Sequence, residues 1–97
     1  MKMENQFWFL EYDKSNRCDD DYDNYLEYKY NKELHYDHNK NKWVKRKEYT
    51  GSCYPSVFHC CSYRAAKRHL RKHNEIPKGT RFRLCSSFVG FDRYLTK

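Results

Sequence analysis

His69 and His73 stand four residues apart, a spacing that sets two imidazoles on one side of a helix where they can share a metal ion. Cys53, Cys60 and Cys61 precede them, but the thiols do not complete a metal site. Six residues separate Cys53 from Cys60 where a structural zinc knuckle uses roughly two to four, and the vicinal pair Cys60–Cys61 points in divergent directions. Asp19, Asp21 and Asp23 follow the alternate spacing of a calcium loop. That motif then needs a glycine where Asn24 stands and a bidentate Glu where Tyr30 stands. His35, His38 and His59 have the acid–base chemistry of a metal-free nuclease, yet nothing in their spacing fixes them in one cleft. No glycine-rich phosphate loop, HExxH motif or nucleophile elbow is present. These patterns lead us to expect a protein that is not an enzyme and that uses no cofactor or metal.

The strongest chemical signal is charge. In "SYRAAKRHLRKH" (Ser62 to His73), Arg64, Lys67, Arg68, Arg71 and Lys72 fall within one arc of about 140° on a helical wheel. Tyr63, Ala66, Leu70 and His73 take the other side, with His69 and Ala65 at the border. An ordinary solvated helix mixes acids among its bases, because opposite charges four residues apart stabilise it. Here Lys67–Arg71, Arg64–Arg68 and Arg68–Lys72 are all like-charged pairs at that spacing, each costing a few tenths of a kcal/mol. An external polyanion would offset the repulsion, and arginines suit bidentate contact with phosphate. Lys78, Arg81 and Arg83 follow this segment, and Lys45, Arg46 and Lys47 lie upstream of it. All eleven side chains are candidates for nucleic-acid binding.

The elements that must position these residues are legible in part. Ser62 is a good N-cap, no Gly or Pro interrupts the basic segment, and Asn74 and Pro77 end it, which predicts a helix. "TRFRLC" (Thr80 to Cys85) alternates with Phe82 and Leu84 inward and Arg81 and Arg83 outward, the pattern of a strand. If the helix covers the Phe82/Leu84 face, these two arginines point away from it. "NQFWFLEYD" (Asn5 to Asp13) reads as a central strand, apolar on both faces. Lys14 to Asn24 reads as an acidic loop. Tyr25 to His38 carries both strand-like alternation and a recurrence every four residues; its tyrosine density favours a strand. Trp43 to Thr50 pairs back on it after a turn at Asn39 to Lys42, and "GSCYPS" (Gly51 to Ser56) breaks the pattern. Ser87 to Leu95 is the last strand, with Gly90 the expected site of a bulge. The expected architecture is α+β: one domain over residues 1–97, a small antiparallel sheet of about five strands covered by one basic amphipathic helix.

Composition bounds the rest. A chain of 97 residues supports one core. Its 38% hydrophobic and 34% charged content drifts toward disorder, but 19% aromatic residues supply enough buried area to fold. Residues 1–37 carry net −5 and residues 38–97 net +12, within an overall +7. Such segregation attracts phosphate backbones, anionic membranes or acidic proteins. The apolar run Phe7 to Leu10 is far too short for a signal sequence or a membrane span. Five cysteines, an odd count, read as thiols in a reducing cytoplasm. Twelve Lys, seven Asn and ten Tyr against two Ala, three Gly and two Pro fit the codons of an AT-rich genome such as many lytic phages carry. In size, composition and charge segregation the chain is similar in style to phage accessory proteins that disable a host enzyme or defence factor, though no motif carries the likeness.

Nucleic acid is therefore the expected partner, and RNA before DNA. One helix leaves no helix-turn-helix, and the tyrosines can stack unpaired bases. No RNP1 pattern or GXXG loop places the chain in a known RNA module. The alternative expectation is a protein-binding inhibitor whose charged faces dock directly on a host enzyme, without nucleic acid.

Overall fold

The computed structural model describes residues 8–17, 21–51, 56–86 and 90–97. The elements are β1 (Trp8–Tyr12), α1 (Tyr22–Asn31), β2 (Leu34–Asp37), β3 (Lys42–Lys45), β4 (Phe58–Cys60), α2 (Tyr63–Lys72), β5 (Arg81–Ser86) and β6 (Gly90–Thr96), with 3₁₀ turns at Lys14–Asn16 and Arg46–Glu48. Four strands form an antiparallel sheet in the order β4-β1-β5-β6, and β2 and β3 form a separate antiparallel hairpin. The expected α+β class holds. Its inventory is larger than the expected one helix and five strands: the described residues contain two helices and six strands.

β1 lies between β4 and β5, in the central position expected of it. Leu10, Phe82 and Leu84 are fully buried on one face of this sheet. They share a core with Ala66 and Leu70 of α2, Tyr36 and Trp43 of the hairpin, Ile76 after α2, and Leu95 of β6. Both α2 and the hairpin thus cover the same face. Burying each large apolar side chain there stabilises the fold by roughly 1.5–3 kcal/mol. The hairpin brings most of the aromatic weight: the Tyr36 ring packs edge-on against Trp43 and Phe58, each at 5.3 Å, and Trp43 packs on Phe82 at 4.9 Å.

The segment Tyr22–Asn31 is a helix, taking in the end of the expected loop Lys14 to Asn24 and the first part of the expected strand Tyr25 to His38. Asp21 decides it. Its carboxylate accepts from the backbone N–H of Asn24 at 2.9 Å, and Asp23 lies in the first turn, where the helix dipole favours a negative charge. The acidic run is a helix start. Tyr25 and Tyr28 turn toward the protein and are half-buried, whereas Tyr22 and Tyr30 stay 70% and 47% exposed. Only Leu34–Asp37 of the expected strand is extended, and it pairs with Lys42–Lys45 through the turn containing Asn41, whose φ of 55° asparagine tolerates. The partner strand ends at Lys45 rather than Thr50, because Arg46–Glu48 winds into a 3₁₀ turn. Most of "GSCYPS", the first residues of Asn5 to Asp13, and residues 87–89 of the last expected strand lie outside the described residues.

The irregularity expected at Gly90 falls two residues later. Leu84 pairs with Arg93 and Cys85 with Phe91, so Asp92 is left without a partner. Such a bulge reverses the inside–outside alternation. Leu95 and Arg93 remain on the α2 side, while Phe91 moves to the opposite face beside Tyr94, with ring centroids 4.8 Å apart.

Candidate nucleic-acid interface

α2 is built as the basic segment predicts. Ser62 Oγ accepts from the Ala65 N–H at 3.1 Å, and the helix runs uninterrupted to Lys72. Ala66, His69 and Leu70 are buried beneath it. His69 belongs to the core rather than the border. Its ring stacks on Phe58 at 3.6 Å, and its Nε2 accepts from the indole N–H of Trp43 at 2.8 Å. That bond needs an unprotonated Nε2. Burial, followed by the neighbouring His73, pushes His69 down to about 4, so the ring is neutral when it anchors the helix.

Arg64, Lys67, Arg68, Arg71 and Lys72 are all exposed on the outer side of α2. Among the described residues, none of the five forms an ion pair. Lys67 lies over the Tyr63 ring at 5.5 Å, and Arg93 of β6 lies over the same ring at 4.5 Å. Arg93 therefore borders the positive face on the sheet side, but its Nε donates to Asp92 at 2.8 Å, so its charge is already shared. Sequence alone did not single it out, because its orientation depends on strand register. Toward the C-terminal end of α2, a groove of about 730 Å³ has a floor of Leu70, Ile76 and Leu95 and a rim that includes Lys67, Arg71 and Lys78. Lys97 also lines it, and its Nζ donates to the carbonyls of His73 and Ile76, the latter at 2.9 Å. Lys97 thereby holds the chain that leaves α2.

Of the other six predicted side chains, five do not form one patch with these. Lys78 joins the groove. Arg81 and Arg83 lie on the sheet face opposite α2, and each is already engaged. Arg81 Nε donates to Asp13 at 2.6 Å and its guanidinium covers the Tyr94 ring at 4.5 Å. Arg83 sits 3.5 Å from Glu11 and 5.3 Å from the Phe91 ring centre. Asp13 also accepts from the backbone and hydroxyl of Ser15. Burial alone would raise its carboxyl, but these hydrogen bonds and Arg81 overcome that and hold it below the ordinary value. Lys45, Arg46 and Lys47 are exposed at the end of the hairpin, and Arg46 faces a different cavity, beside His35.

The tempting chemical groups are dispersed or occupied. His69 and His73 do adjoin, with centroids 4.1 Å apart. However, His69 Nε2 is taken by Trp43, and His73 Nδ1 lies 2.8 Å from Glu75. Burial raises the Cys60 thiol to about 11, which favours the protonated form over a metal-binding thiolate. Cys53 and Asp19 lie outside the described residues. His38 and His59 stack at 6.3 Å, while His35 faces the separate cavity. Among the described residues, no helix is long and apolar enough to cross a membrane. Comparison with known protein families, with curated proteins and with solved structures finds no match to this chain.

Proposed function

We propose that the protein binds RNA through the outer side of α2 and uses that contact to regulate or inhibit, without catalysing a reaction. The observation that carries this reading is the set of five exposed cations on α2 with no acidic partner among the described residues. A face of that density gains from releasing counterions off a polyanion. The adjoining groove adds an apolar floor against which an unpaired base can pack. In this reading the chain works in a reducing cytoplasm, that of the host if it comes from a virus. Its role is that of a phage-type accessory factor acting on a host nucleic-acid enzyme or defence system.

One observation favours a second reading, direct docking on a host protein. Phe91 and Tyr94 are 45% and 50% exposed side by side, on the sheet face turned away from α2. Exposed aromatic pairs are common anchors of protein interfaces.

Purification without nuclease separates the two. The RNA reading expects an absorbance ratio at 260 and 280 nm well above that of pure protein, falling after ribonuclease treatment. Nucleic-acid-free protein that then fails to bind generic single-stranded RNA at low salt would leave the docking reading in its place.

A further inference from the structure

On the flank of the fold away from the groove, a cavity of about 340 Å³ opens between β1, α1 and the Arg46–Glu48 turn. Lys14, Lys29 and Arg46, from three different elements, converge on it. At its wall lies His35, only 8% exposed. One ring nitrogen, Nδ1, is 2.6 Å from Ser56 Oγ, but the other, Nε2, is buried without a hydrogen-bond partner. An unpaired buried polar atom costs about 1–3 kcal/mol, which a bound polar group would relieve. Tyr49 packs against His35 with ring centroids 5.4 Å apart at a tilt of 34°, and a Cβ at Gly51 would clash with the Tyr49 hydroxyl. The glycine thus makes room for the aromatic wall.

Two acids also line the cavity, and they refine the choice of ligand. Glu11 shares its charge with Arg83 at 3.5 Å, outside the cavity. Glu33 stays beside His35, with an oxygen 3.7 Å from Nε2, beyond hydrogen-bond reach. Three cations suit a phosphate, one retained carboxylate suits a sugar hydroxyl, and the Tyr49 ring suits a base. The volume is at the lower end of the roughly 300–1,000 Å³ typical of small-ligand sites. We propose that this cavity binds a phosphate monoester of mononucleotide size, with Lys14, Lys29 and Arg46 facing its phosphate and His35 Nε2 hydrogen-bonded to it. The same cations, after burial, push His35 down to about 4, which keeps its ring neutral and able to donate from one nitrogen while accepting at the other.

The site is separate from the α2 face, so its test is independent of RNA binding there. Calorimetric titration of the full chain with a nucleoside 5′-monophosphate is expected to give one site, with the unphosphorylated nucleoside bound at least about tenfold more weakly. Lys29→Gln/Arg46→Gln should lower the monophosphate affinity at least about tenfold without lowering Tm, and Arg68→Glu/Arg71→Glu should leave it unchanged. His35→Gln adds a direct check on the buried nitrogen; if it does not fold, the lysine–arginine variant still decides. A 5′-phosphorylated oligoribonucleotide that competes with the monophosphate identifies an RNA end as the source, and failure to compete identifies the free nucleotide. Equal binding of nucleoside and monophosphate, binding of neither, or loss only in the α2 variant overturns the proposal.

Discussion

Arg68 on α2 and Arg81 on β5 occupy opposite faces of the molecule and do different work. Arg68 has like charges before and after it on its helix and no acid within ion-pair distance among the described residues. Arg81 is clasped by Asp13, whose side chain is 5% exposed, and lies over the Tyr94 ring. Arg83 repeats the arrangement with Glu11 and Phe91. Residue type and local alternation make all these arginines equal candidates for phosphate contact. What separates them is the counter-charge, which comes from Glu11 in β1 and Asp13 just after it, far away in sequence. A cation with a nearby acid and ring is already part of the fold, whereas a cation without them is left for a partner.

That contrast can be attacked from the core outward. The largest stability loss is expected from Leu70→Ala, which removes a 3% exposed side chain beneath the α2 face and should cost about 2–5 kcal/mol in denaturant unfolding. Next comes a pair of charge reversals with opposite outcomes. Arg68→Glu/Arg71→Glu should lower RNA affinity about a hundredfold, since each lost charged contact is worth about 1.5 kcal/mol or more. Its Tm should hold or rise, because glutamates beside Arg64, Lys67 and Lys72 form favourable pairs. Arg81→Glu/Arg83→Glu should lower Tm, since it turns like charges toward Asp13 and Glu11. If both reversals act alike, the two faces are not different in kind.

Smaller effects sharpen the same distinction. Asp13→Ala should cost about 0.5–2 kcal/mol, because Asp13 caps the Lys14–Asn16 turn and holds Arg81. RNA affinity should barely change, which a titration of the variant checks. Acid should act first at the two buried histidines, His69 in α2 and His35 in β2. His69 and His35 fall from an ordinary 6.5 to about 4 on folding, so their stabilisation is complete above 6.5 and is lost as pH drops toward 4. Asp37 accepts from Thr50, Asn39 and Lys40; burial opposes these bonds, yet they hold it at about 2. Its contribution is therefore lost only between about 4 and 2. Unfolding free energy should accordingly fall as pH drops from 6.5 toward 4, and Trp43 fluorescence of the folded protein should change only near pH 4, where protonation takes the His69 acceptor from the indole; stability that stays constant across that window would place the weak point elsewhere.

The parts of the fold set by local chemistry were legible. Ser62 with an uninterrupted helical stretch gave α2, and the alternation around Phe82 and Leu84 gave β5 and the orientation of Arg81 and Arg83. The parts set by distant partners were not. Tyr25 and Tyr28 look like strand residues until Asp21 caps them and Tyr12 meets Tyr28. β4 is three residues long and is extended through its pairing with β1, and nothing within Phe58–Cys60 announces it. His69 sits at the border of a helical wheel and enters the core because Trp43 and Phe58 arrive from elsewhere. Of the candidate site, the five α2 cations and Lys78 were read from sequence. That Arg93 borders this face, paired with Asp92, was not, since the bulge at Asp92 fixes its side of the sheet.

The most direct test is the salt dependence of single-stranded RNA binding. For a face that engages one phosphate per α2 cation, log affinity should fall with log salt at a slope of about −3.5, or about −0.7 per phosphate. The Arg68→Glu/Arg71→Glu variant should bind more weakly with a slope shallower by about 1.4 or more. A flat salt response, or a variant with unchanged affinity and slope, would contradict the assignment of α2 as the RNA-binding face.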